Sequence, residues 1–263
     1  MTWKLRQVIN RLSKKILSTL IGQHLSDLQK SINMFSLLTK WDSTSLSKVT
    51  VENLIKDSKS QTAQDIFVLS VFGPSFQGQF VEAGACDGEQ ASNTLLLEQK
   101  FGWSGVLVEP NDYWRDRGLV KKRECHWFHG CLAGTVGHVE FVNYHAPELS
   151  GIKSHFRKRK KNQGTEKLKE SINIVTLMAK FNMPRIDYLS LDTEGSEYEI
   201  LEAINLATNQ IGVITVEHNF NNINREKIFV YLTKFGYQRV FTSLSNQDDW
   251  YVSSALSSNI DIT

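Results

Sequence analysis

The residues best placed to do chemistry stand at the ends of short apolar runs. Phe80-Val81-Glu82-Ala83 leads into Gly84-Ala85-Cys86-Asp87-Gly88, and Val106-Leu107-Val108 ends in Glu109. Gly84 and Gly88 let a backbone approach a ligand where a Cβ would collide. Glu109 falls one strand after that turn, about 20 residues on, the spacing at which a carboxylate accepts hydrogen bonds from both hydroxyls of a ribose. Glu82 and Asp87 flank the turn and can orient its amides or hold a cationic group. The G-x-G-x-x-G series of dinucleotide sites is incomplete, because no third glycine follows.

A second constellation is Ile186-Asp187-Tyr188-Leu189-Ser190-Leu191-Asp192-Thr193-Glu194-Gly195-Ser196-Glu197, faced by Val213-Ile214-Thr215-Val216-Glu217-His218. Acids at two such strand ends, with a histidine beside one of them, form a set of hard ligands and a base. Taking a proton from a weakly acidic hydroxyl needs a positioned base or a divalent ion held by carboxylates. Asp192, Glu217 and His218 are the catalytic candidates. Asp192 and Glu217 are also the candidate ligands for Mg²⁺, with His218 as base with or without the ion. Glu194 and Glu197 have a plainer reading as acids at a helix N-terminus.

The elements that must position these residues alternate. Strands are expected at 79–84, 104–109, 125–130, 186–191, 211–216, 238–242 and 249–253. Helices are expected near 60–69, 89–101, 111–119, 174–182, 196–205 and 224–235. This is an α/β pattern: a Rossmann-like, seven-stranded, mostly parallel sheet with helices on both faces and an antiparallel edge hairpin. Ligands of such sheets bind beyond the carboxyl ends of the strands. That rule adds Cys131 and Leu132, after the third strand, to the candidate cofactor contacts.

With 263 residues, 41% hydrophobic and 22% charged, the chain holds one α/β domain and an appendage. Residues 1–50 read as a basic amphipathic helix and linker, and residues 51–263 as the catalytic domain. Leu5, Ile9, Leu12, Ile16 and Leu20 form an apolar stripe beside Lys4, Arg6, Arg11, Lys14 and Lys15. Such a stripe suits packing, self-association into a homo-oligomer, or peripheral contact of residues 1–30 with an anionic membrane face. Three cysteines without C-x-x-C spacing give neither a disulfide framework nor a zinc site, so reduced thiols and a cytoplasmic location are expected. Between Ser150 and Glu170 the rhythm breaks at Lys153-Ser154-His155-Phe156-Arg157-Lys158-Arg159-Lys160-Lys161. This run reads as a solvated loop or as an electrostatic clamp for a polyanion.

Taken in order, Phe80 to Gly88, Ser92-Asn93-Thr94, Leu97-Glu98, Gly102 to Pro110 and Asp187 to Glu197 resemble FkbM-family methyltransferases over about residues 60–253. The resemblance implies a class I Rossmann-like fold, S-adenosyl-L-methionine (SAM) as donor, and O-methylation of hydroxyls, often on sugars. Carried over by position, the donor site would use Glu82, Gly84, Ala85, Asp87, Gly88, Asn93 and Glu109, with Asp192 close by. Cys86 departs from the small or polar residue usual in that turn.

The expected activity is therefore methyl transfer to a sugar hydroxyl of a glycan or surface polysaccharide, with an acceptor that is phosphorylated or lipid-linked. An RNA methyltransferase is the alternative suggested by the basic run, which lacks the interleaved aromatics of single-strand readers. A nicotinamide-dependent oxidoreductase is disfavoured by the glycine series. A non-catalytic, methyltransferase-like interaction module is disfavoured by the intact acids.

Overall fold

Strands that are apolar on both sides are stable only between two covering layers, and that requirement organises the chain. A computed structural model describes residues 53–54, 56–117, 123–155 and 164–257. Helix α1 (Gln64–Phe72) precedes β1 (Gln79–Ala83), α2 (Leu95–Phe101), β2 (Ser104–Val108), α3 (Asp112–Asp116) and β3 (His126–Phe128). After β4 (Cys131–Leu132), β5 (Gly137–Tyr144), β6 (Gly151–Ile152) and β7 (Gly164–Ile172) come α4 (Ile174–Lys180), β8 (Tyr188–Leu191), α5 (Glu197–Glu202) and β9 (Val213–Glu217). The order closes with α6 (Asn222–Lys234), β10 (Tyr237–Val240), β11 (Asp248–Ser253) and α7 (Ser254–Ser257).

Seven strands form one sheet in the order β10-β11-β9-β8-β1-β2-β3. β9, β8, β1, β2 and β3 run parallel, while β11 is antiparallel to both β9 and β10. The chain builds outward from β1 through β2 to β3, then returns to lay β8 on the other side of β1. The strand order therefore reverses between β1 and β8, which opens a crevice at their carboxyl ends. Alternate residues feed two cores. Val81, Val106, Leu189, Ile214 and Tyr251 pack with Ile174, Leu177, Ile200 and Leu232 from α4, α5 and α6. Phe80, Leu107, Tyr188, Val213, Trp250 and Val252 pack with Phe67, Leu96 and Leu97 from α1 and α2.

Three expectations need correction. The 150–170 insertion is not simply a loop, because a second sheet of order β4-β7-β5-β6 is built through it. β5 and β7 pair antiparallel from Gly137↔Ser171 to Tyr144↔Gly164. β7 reads Gly-Thr-Glu-Lys-Leu-Lys-Glu-Ser-Ile, with its first five residues exposed, so no buried alternation was there to be read. The helix expected over 89–101 begins only at Leu95, because acids described below hold residues 89–94 as a loop. The helices near 111–119 and 196–205 shorten to Asp112–Asp116 and Glu197–Glu202. Residues 1–50, the linker and the basic stretch 156–163 lie outside the described residues. No helix among the described residues is long and apolar enough to cross a membrane.

Trp250, fully buried, stacks on Phe67 with ring centroids 4.8 Å apart and ties α1 to the sheet. Trp250→Ala is expected to cost about 3–5 kcal/mol, the range for truncating a core aromatic. Urea unfolding followed by circular dichroism checks this.

Candidate active site

The site is built on a close approach of strand ends. Gly84 follows β1 with φ +85°, and a Cβ there would lie 1.7 Å from the carbonyl oxygen of Asp192. Its amide donates to Val108 O at 3.0 Å, and Asp192 N donates to Ala83 O at 3.0 Å. One glycine thus joins the ends of β1, β2 and β8. Two further residues with positive φ, Cys86 (49°) and Ala91 (60°), also line the cavity that opens there. Strained backbone gathered at one place is a common mark of a functional site.

A cavity of about 290 Å³ opens at the crevice. On its β2 side stands Glu109, buried, its Oε1 taking Asn111 N at 2.7 Å and its Oε2 taking Cys86 N at 3.0 Å. Burial pushes its carboxyl up to about 7, moderated by those two amides. Each oxygen keeps a lone pair for a hydroxyl donor. Ala85, Cys131 and Leu132 line the same end, with Trp114, whose Nε1 is buried without a protein partner.

Across β1, β8 and β9 a polar row replaces the apolar pattern. Glu82 pairs in register with Ser190, and Ser190 with Thr215, so all three lie on one face of the sheet at the same height. Tyr188 and Thr215 hydroxyls bond at 2.8 Å. The loop before α2 lies over this row. Ser92 Oγ and Asn93 N donate to Glu82 at 2.9 and 2.8 Å, Thr94 Oγ1 donates to Glu82, and Asn93 Nδ2 donates to Ser190 Oγ at 2.9 Å. Asn93 Oδ1 is buried at the cavity with no protein partner.

The far wall comes from Asp248 at the start of β11, with Gln64 Nε2 donating to its Oδ2 at 2.5 Å. Burial first, then the nearby Asp192, pushes the Asp248 carboxyl up to about 7. Ser60, bridged to Ala91, accepts from Gln64 N at 2.9 Å and holds Gln64 on this wall, while Gln61 Oε1 accepts from Gln247 Nε2 at 3.2 Å.

Asp192 lines the cavity, whereas Glu217 and His218 do not. Asp192, Glu194 and Glu217 offer oxygens within 4.8 Å of one another, a spacing open to a hard cation. Burial raises both Asp192 and Glu217; the charges of Glu197 and Glu82 add to the rise at Asp192, where the hydrogen bond with Glu217 opposes it, and the charge of Asp192 adds to the rise at Glu217. Asn219 Nδ2 donates to Glu217 Oε2 at 2.6 Å. His218 Nδ1 accepts from Phe220 N at 3.0 Å; the charges that act on its ring are Asp249, Arg225 and Arg239. Asp87 and Gly88 also stand off the cavity: Asp87 Oδ1 takes Glu89 N and Gln90 N at 2.9 and 2.7 Å, closing the turn. Glu197 Oε1 takes Thr193 N and Gly195 N at 2.9 and 3.0 Å.

Sequence reasoning missed Ser190, Thr215, Asp248, Gln64 and Trp114. A signal for two of them exists: Glu82-x-Gly84, Ser190-x-Asp192 and Thr215-x-Glu217 each place one polar residue two positions before the strand-end residue. Five carboxylates line the cavity (Glu82, Glu109, Glu148, Asp192 and Asp248) and, among the described residues, no Lys, Arg or His does. Native carboxyls raised to about 7 bind protons that the unfolded chain has already released, so their contribution is complete below about pH 4 and lost as pH rises through about 7. The melting temperature is expected to fall between about pH 5 and pH 8, and Asp248→Asn to flatten that fall. Calorimetric scans across pH check both.

The model of the Methyltransferase FkbM domain matches residues 82–239. No curated protein matches. Among solved structures, the methyltransferase FkbM from Methylobacillus flagellatus KT shares 12% identity at a TM-score of 0.44, over 67% of this chain and 43% of that one. This chain thus spans less than half the length of that relative. The precorrin-6y C5,15-methyltransferase of Geobacter metallireducens GS-15 gives 11% and 0.37 over 81% and 94%. The CurJ carbon methyltransferase gives 10% and 0.38 over 91% and 70%. The domain match covers more than half of the chain and includes Glu82, Glu109 and Asp192, and the chain belongs to the FkbM methyltransferase family.

Proposed function

We propose that the cleft binds SAM and directs its methyl group to a hydroxyl of a sugar. The observation that carries the donor assignment is the five-carboxylate lining with no cationic side chain among the described residues. The diphosphate of a nicotinamide dinucleotide would meet only like charge there, which disfavours binding by several kcal/mol. SAM, whose sulfonium and ammonium outweigh its one carboxylate, brings a net positive charge to such a lining. The residues also fit the nucleoside: Glu109 presents two lone pairs at the end of β2, where a ribose lies in open α/β sheets. SAM, when bound, supplies a methyl group on a positively charged sulfur with a neutral thioether as leaving group.

The chain's own part is positioning and proton handling. Ser190, Thr215, Gln61, Gln64 and Asp248 form a wall of hydroxyls, amides and a carboxylate that suits a polyhydroxylated acceptor rather than an apolar one. Asp192 lines the cavity, its carboxyl pushed up to about 6 by burial and by the nearby Glu197 and Glu82. It is the residue from which a base or an orienting contact would act on the acceptor hydroxyl. A phosphorylated or lipid-linked acceptor would keep its anionic part outside this acid-lined cleft. The basic run Lys153 to Lys161 carries the charge to receive it. Residues 1–30 would then serve as a peripheral contact with the cytoplasmic membrane face.

Titration calorimetry with S-adenosylhomocysteine, with NAD as control, tests the donor assignment. Micromolar binding of S-adenosylhomocysteine alone is expected, with a loss of about 10- to 100-fold in Glu109→Gln, the value of a charge-assisted hydrogen bond. Binding of NAD alone, or of neither compound, would overturn the assignment.

A further inference from the structure

Arg123 lies outside the cavity, yet its buried guanidinium grips the loop that covers the cavity. Its side chain is fully enclosed. Nη1 donates to Gly88 O and, at 3.1 Å, to Ser92 Oγ; Nη2 donates to Thr94 Oγ1 at 2.9 Å; Nε donates to Glu98 Oε2 at 2.8 Å. A guanidinium can only donate, so the single hydroxyl hydrogens of Ser92 and Thr94 are turned away from it. Both point to the carboxylate of Glu82, which takes Ser92 Oγ at 2.9 Å as well as Thr94 Oγ1. Arg123 and Glu82 are thus linked through two hydroxyls, one on each side of Asn93.

That link fixes Asn93. Its backbone N–H is held by Glu82 and its side-chain NH₂ by Ser190 Oγ on β8. Asn93 lines the cavity, and its Oδ1 is buried without a protein partner. A buried acceptor without a partner is costly unless a ligand supplies the donor. If an adenosine is fixed at the end of β2 by Glu109, an extended ligand runs on over β1, which carries Glu82, toward β8, to which Asn93 is tied. An ammonium is the group that satisfies both.

Resting on the SAM reading above, we infer that Arg123 is a positioning residue for the amino-acid end of the donor. It sets Asn93 and Glu82 against the ammonium through the hydroxyls of Ser92 and Thr94 without touching the ligand.

The test compares two probes on the full chain. S-adenosylhomocysteine carries the amino-acid end; 5′-methylthioadenosine has the same adenosine and thioether without it. Wild type is expected to prefer the former by tenfold or more. Arg123→Gln is expected to erase most of that preference, weakening S-adenosylhomocysteine about 10- to 100-fold while 5′-methylthioadenosine stays within about twofold. Arg123→Lys is expected to recover part of it, because an ammonium restores some of the donors. Ser92→Ala and Thr94→Val each remove one hydroxyl, are milder than cutting a buried guanidinium, and are expected to shift the ratio in the same direction. These two decide the matter if Arg123→Gln fails to fold. Equal weakening of both probes, or an unchanged ratio in the hydroxyl variants, would overturn the inference while leaving the donor reading intact. Failure of wild type to bind either probe would instead overturn the donor reading.

Discussion

Gly84 occupies a place that no other residue can fill. Its φ of +85° and the 1.7 Å between a built Cβ and the Asp192 carbonyl mean that any side chain there must push the ends of β1 and β8 apart. What depends on that contact extends well beyond the turn. The register Glu82↔Ser190↔Thr215 follows from β1 and β8 pairing up to their ends, and with it the polar row beneath the cavity. Asp192 is delivered beside the cleft by the same contact, since its own amide bonds Ala83 O.

The electrostatics of the cleft stand out against the rest of the molecule. Elsewhere several buried or half-buried acids are met by cations: Asp249 by Arg225 and Arg239, Asp112 by Lys167 and Lys169, Glu98 by Arg123. Along the cleft the partners of the acids are amides, hydroxyls and one another. The fold has cations to place, and even Lys169, whose field reaches Glu109, gives its Nζ to Asp112. Carboxylates left this way raise their proton affinity, which is what Glu109 and Asp248 show. A ligand that brings its own positive charge removes that tension, and methyl transfer from a sulfonium then removes the charge.

Much of this was legible in the sequence, and the reasons differ by element. β1, β2, β8 and β9 are short, apolar and acid-ended, so burial on both faces and the strand-end chemistry could be read together. Glu109 and Asp192 stand at the crevice because those two signals coincide. The second sheet could not be read, since β7 exposes most of its side chains and carries four charges. The loop at 89–94 reads as helix in the sequence because nothing local to it reports that Glu82, Asp87 and Arg123 claim its amides and hydroxyls. Asp248 and Gln64 meet only through the fold, 184 residues apart in sequence. His218 shows the opposite case. It adjoins Glu217 in the chain, but at the end of β9 its ring comes under Asp249, Arg225 and Arg239 rather than joining the cavity lining.

The central claim is that this cleft is an uncompensated acidic site built for a cationic donor. The most direct measurement is the ratio of SAM to S-adenosylhomocysteine affinity, taken by calorimetry at about pH 6 and about pH 8. The two ligands differ by one methyl group and one positive charge on sulfur. Ionisation of Glu109 and Asp248 over that range should raise the ratio in favour of SAM by several-fold at the higher pH. A ratio that stays constant, or that falls, would show that the carboxylates do not face the sulfonium and would contradict the account.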